Sequence, residues 1–114
     1  MVVLIGLGIY TNAQSPKFNG VTLCSQSGES LDFYPEKVIY YSKGAPVSRL
    51  GSYTWKNTGR WNGSINKYQA YISIVVTVIN TKKEIKGTLV YDNNGNILSI
   101  ETNNGKWTKE NCAK

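Results

Sequence analysis

From Lys17 onward the chain alternates apolar and polar positions in short runs, and clusters of Gly, Asn and Asp interrupt them. A period of two puts successive side chains on opposite faces of a strand, and the interrupting residues are the ones that turns demand. The runs predict strands over Phe18–Cys24, Ser30–Phe33, Lys37–Ser42, Leu50–Lys56, Arg60–Asn66, Tyr68–Asn80, Ile85–Tyr91, Ile97–Thr102 and Lys106–Lys109. No stretch reads as a helix. The expected fold is all-β: a small antiparallel meander of about eight strands that forms a barrel or a sandwich.

The segment YQAYISIVVTVIN is the predicted core strand. Tyr68, Ala70, Ile72, Ile74, Val76 and Val78 share one face, and Gln69, Ser73 and Thr77 lie on the other. Three hairpins are predicted around it. In GTLVYDNNGNILSIET, a two-residue turn at Asn94-Gly95 would set Tyr91 opposite Leu98 and Leu89 opposite Ile100. A further turn at Asn104-Gly105 would set Trp107 opposite Thr102. The spacing of Tyr91, Asp92, Gly95, Asn96 and Gly105 resembles one copy of the tyrosine-aspartate repeat of large secreted shell-forming proteins, and the turn chemistry alone accounts for it. In SYTWKNTGRWNG, a loop at Asn57-Thr58-Gly59 would set Trp55 opposite Trp61 and Tyr53 opposite Gly63. Tyr53, Trp55, Trp61 and Ile65 would then share an inward face, with Thr54, Lys56, Arg60, Asn62 and Ser64 outward.

The first residues change the picture of where the protein works. MVVLIGLGIYTNAQS opens on an apolar run too short to span a bilayer, followed by Thr11 and Ala13 at the small-x-small spacing of a cleavage site before Gln14. Residues 1–13 are expected to be a signal peptide and residues 14–114 a single all-β domain. No Lys or Arg precedes the run, as expected if the basic segment lies upstream of Met1. GLGIYT lacks the third glycine and the following helix of a dinucleotide-binding turn. The expected location is secreted or periplasmic, with no transmembrane segment in the mature chain. The only two cysteines, Cys24 and Cys112, support this: an oxidising compartment would join them as a disulfide.

Composition narrows the chemistry. Histidine is absent, which removes a Cys-His pair and the usual zinc sets. The seven carboxylates show no spacing suited to paired acid-base work, and DNNGN lacks the later acidic ligand of a calcium loop. No catalytic, metal or cofactor residue is assigned. The 13 basic side chains give a net charge of +6 but are scattered, with Lys82-Lys83 the only adjacent pair, so no nucleic-acid partner is expected. Asn62-Gly63-Ser64 matches a glycosylation sequon.

The leading expectation is a non-catalytic binding or interaction domain for a protein, a glycan or a small apolar ligand. The alternative is an inhibitor or immunity-type protein acting on another protein. Candidate contact residues are Trp55 and Trp61 if their shared face is a solvent-facing platform rather than core, and otherwise Tyr34, Tyr41 and Tyr71, whose positions in the alternation leave them less clearly buried.

Overall fold

Twelve residues of alternating pattern, Lys67–Val78, form a strand that the rest of the chain wraps around. The computed structural model of the chain describes residues 15–43, 48–62, 67–78 and 80–113, with only the backbone at 58–62 and 78. The signal-like segment 1–13 lies outside the described residues, as do Gly44, Ala45 and Pro46, where the sequence breaks between predicted strands. The strands are β1 (Val21–Cys24), β2 (Ser30–Tyr34), β3 (Lys37–Tyr41), β4 (Ser48–Asn62), β5 (Lys67–Val78), β6 (Thr81–Asp92), β7 (Ile97–Thr102) and β8 (Gly105–Thr108). A 3-10 helix, Glu110–Ala113, follows. Each strand pairs antiparallel with the next and β8 returns to β1, so the meander closes as an eight-stranded barrel. No helix among the described residues is long and apolar enough to cross a membrane.

The unequal strand lengths follow from closure. Ladder partners can be traced once round the barrel from Gln69 through Val90, Ser99, Thr108, Cys24, Ser30 and Tyr41 to Ser48. The circuit returns to β4 about ten residues from the position that faces Gln69, which is the stagger that tilts the strands of a closed barrel. β4 must therefore serve β3 with its first residues and β5 with the rest, and it is long for that reason. Glycines allow the sheet to coil at two places. A Cβ at Gly51 would meet the Val75 carbonyl, and one at Gly87 would meet the Glu101 carbonyl.

Side chains fill the interior. Leu23, Leu31, Phe33, Ile74, Leu89 and Ile100 are fully buried, Ile74 on the apolar face that alternation assigns to β5. An eight-stranded barrel is just wide enough for such a filling. One end is plugged by the segment before β1. Phe18 packs on Phe33, Tyr53 and Trp55, with ring centroids 5.4, 4.6 and 6.4 Å away, and Lys17 N–H donates to the Gly95 carbonyl.

Three sequence expectations change. The Asn57-Thr58-Gly59 hairpin does not form, and Leu50–Lys56 and Arg60–Asn66 are not separate strands: β4 runs through to Asn62. Trp55 pairs with Ile72, Trp61 with Tyr68, and Tyr53 with Ile74. Between Asn57 and Trp61 β4 advances four residues while β5 advances two, from Ala70 to Tyr68, so β4 carries two extra residues as a bulge. The long apolar face of β5 offers a partner along its whole length, and a bulge keeps that pairing where a hairpin would abandon it. In the β6–β7 hairpin, Leu89 does face Ile100, but Tyr91 faces Ile97, and Leu98 is extra. The Asp92 carboxylate accepts the N–H groups of Asn94 and Asn96, and Gly95 takes φ 86°, so the loop is one residue longer than the two-residue turn. In the β7–β8 hairpin, the loop is Asn103-Asn104, Thr102 faces Gly105, and Trp107 faces Ile100 inside the core.

Closure rests on a narrow seam. β1 and β8 share one ladder pair, Cys24 with Thr108. The Asn111 side-chain amide donates to the Cys24 carbonyl on β1 (3.1 Å) and to the Lys106 carbonyl on β8 (3.3 Å). Cys24 and Cys112 form a disulfide, Cα atoms 5.0 Å apart, across 88 residues of sequence. In the chain-entropy account a bridge of that span stabilises the fold by about 4–5 kcal/mol. Replacing both cysteines by serine is expected to lower the unfolding free energy by about that amount in denaturant titration. A loss below about 1 kcal/mol would show that the seam holds without the bridge.

Candidate functional site

The barrel wall carries a shallow groove of about 560 Å³ over β4, β5 and β6. Its geometry follows from the register. Thr54, Ser73 and Lys86 form one cross-strand row, and Lys56, Tyr71 and Thr88 form another. Between them run Trp55, Ile72 and Gly87, which alternation turns the other way, so their backbone is the floor. Tyr71 stands in the outer row with 60% of its surface exposed, between Lys56 on one strand and Thr88 on the next. The nine lining residues include two lysines and no carboxylate.

A second concavity, about 550 Å³, lies at one end of the barrel between the β1–β2 loop, β6 and the β7–β8 turn. Buried Ile85 and Trp107 back it, and polar side chains rim it. Glu29 organises this end. It accepts hydrogen bonds from the Tyr40 hydroxyl and from Ser27 (3.1 Å), and Lys83 pairs with it at 3.2 Å. The Lys83 ammonium also sits 5.7 Å from the Tyr40 ring centroid. Burial opposes ionisation of Glu29, but the bonds from Tyr40, Lys83 and Ser27 and the Lys83 charge outweigh it and hold the carboxyl below its ordinary value. Burial, then the bond to Glu29 and the Glu29 charge, push the Tyr40 phenol far above its ordinary range. The cluster ties the β1–β2 loop to β3 and β6. Its charges are satisfied internally, and so it reads as an anchor for the barrel end.

The five aromatic residues singled out from the sequence do not form one site. Trp55 and Tyr71 flank neighbouring rows of the same sheet but point to opposite faces: Trp55, 36% exposed, sits at the edge of the aromatic plug with Phe18. The inward reading of Trp61 concerns a side chain outside the described residues. Tyr34 lies at the plugged end of β2, 38% exposed, where its carbonyl accepts from the Tyr53 hydroxyl at 2.8 Å and Lys37 covers its ring. Tyr41 lies at the far end of β3, between Ser30 and Ser48. Trp55 and Tyr71 both line the groove, and only Tyr71 stands in its outward rows. Lys56, Lys86 and the hydroxyls of Thr54, Ser73 and Thr88 were missed as site residues. Alternation alone puts Thr54, Lys56 and Ser73 on polar faces, and the signal that could have found all five is the outward rows they share with Tyr71. DNNGN is a turn in which Asp92 is saturated by its own loop. No family model, curated protein or solved structure matches the chain.

The Glu29 cluster sets an acid limit on stability. Its carboxyl is depressed in the folded state, so its contribution is fully present above the ordinary value of 4.5 and is lost as pH falls through the folded value. Asp92 is also held low, since bonds from Asn96 and Asn94 and the Lys17 charge outweigh its desolvation, and it adds to the same limb. Urea unfolding from about pH 6 down to about pH 3 is expected to show a shallower acid loss in Glu29→Gln than in the parent, the Asp92 share remaining. Identical slopes would remove Glu29 from the account.

Proposed function

We propose that the protein is an exported, non-catalytic binding domain that holds a glycan on the outer wall of its barrel, against Tyr71. The observation that carries this reading is the placement of that ring. A largely exposed tyrosine stands in a concave patch whose other outward-row residues are Thr54, Ser73, Thr88, Lys56 and Lys86, with Trp55 at its border. Such a surface suits a sugar: the ring stacks on an apolar sugar face, and the flanking groups meet its hydroxyls. The filled interior argues against a small apolar ligand inside the barrel. The Cys24–Cys112 bridge favours an oxidising compartment, which agrees with the signal-like residues 1–13. Cleavage before Gln14 would spare the Phe18 plug.

Tyr71 has little to do with stability, so the test separates cleanly from folding. Screening immobilised plant, animal and bacterial polysaccharides is expected to find binding that Tyr71→Ala abolishes. The unfolding midpoint of the variant should match the parent within about 0.5 kcal/mol, as for a surface substitution. Binding that survives Tyr71→Ala, or no binding to any polysaccharide, would contradict the proposal.

A further inference from the structure

We infer that the glycan held at Tyr71 is acidic, with anionic groups on alternate sugars along the chain. This rests on the glycan reading and adds the charge and its spacing. Lys56 and Lys86 are the two ionised groups of the groove, and none of the nine lining residues is acidic. They stand on β4 and β6, on opposite sides of β5, and in rows offset by two residues, because Lys56 faces Tyr71 and Lys86 faces Ser73. Two strand spacings across and two residues along place their Cα atoms about 12 Å apart. That is of the same order as the disaccharide repeat of an extended acidic glycan. Tyr71 lies between them in the weave, where the sugar joining two charged units would stack.

Nearby carboxylates do not cancel this field. Glu84 meets Lys86 at 3.5 Å, but both side chains are more than half exposed, and such a pair is weak enough for a ligand anion to displace. Glu101, the next residue in the Lys56–Tyr71–Thr88 row, is engaged by Lys106 at 3.6 Å. The net charge of +6 adds a general attraction for an acidic polymer. The polar end near Glu29 has a weaker bias, since two carboxylates, Glu29 and Glu84, stand among its three lysines.

Calorimetry with three oligosaccharides of equal length tests this: hyaluronan, which carries one carboxylate per disaccharide, chondroitin sulfate, and neutral chitin oligosaccharide. The expected result is binding of one or both acidic probes, weakened about tenfold or more by Lys56→Gln or by Lys86→Gln and by added salt. Chitin oligosaccharide should bind about tenfold more weakly or worse. Unchanged unfolding midpoints would show that both lysine variants fold. Chitin oligosaccharide that binds as tightly as the acidic probes, and through Tyr71, would overturn the acidic ligand while leaving the glycan reading standing. Acidic probes that bind equally well to both lysine variants would overturn the groove's part in recognising charge. Failure of both acidic probes to bind would overturn the inference, and the polysaccharide screen would then decide the glycan reading separately.

Discussion

The barrel depends on how its first and last strands are joined. Every other neighbouring pair of strands shares at least four ladder positions, whereas β1 and β8 share one. A single pair of strand residues cannot hold a closed sheet against the entropy of opening. Asn111 and the disulfide make up the difference. The Asn111 amide reaches a carbonyl on each side of the seam, and the bridge fixes the 3-10 helix on β1 just beyond it. Closure is thus covalent as well as hydrogen-bonded, and bridges of this kind persist in oxidising compartments.

Closure also explains where a ligand surface is available. The stagger makes β4, β5 and β6 long, and the three strands expose a broad wall that short strands do not cover. The inner side of that wall is spent on the core. The outer side is free, and the rows on it are set by register: Tyr71 cannot turn inward without moving Ala70 and Ile72 out of the core. The bulge between Asn57 and Trp61 interrupts the exposed edge of β4, and Lys56 stands just before it, which discourages pairing with another chain.

The all-β class, the inward face of β5 and the Cys24–Cys112 bridge were legible from alternation and from cysteine number. The registers were less so, for reasons particular to each turn. Asn57-Thr58-Gly59 carries the residues of a tight turn, yet the same residues serve a bulge when a long partner strand lies alongside. At Asp92 a carboxylate captures two backbone N–H groups and lengthens the loop by a residue, which the Asn94-Gly95 pair alone does not announce. Trp55 was read as one of a facing pair and is instead the outer member of a plug built by Phe18, a residue distant in sequence. The groove was half legible. Tyr71 stood out as an aromatic on the polar side of the core strand, but its neighbours come from β4 and β6, and only the register brings them beside it.

Hydrogen exchange of the oxidised and gently reduced protein, read amide by amide, tests the central place of the seam most directly. With the bridge reduced under native conditions, the amides of β1 and β8 should lose protection well before those of β5 and β6, which keep their long ladder. If β1 and β8 stay as protected as in the oxidised protein, or if β5 and β6 lose protection together with them at the same rate, the barrel is not held at its seam in the way described.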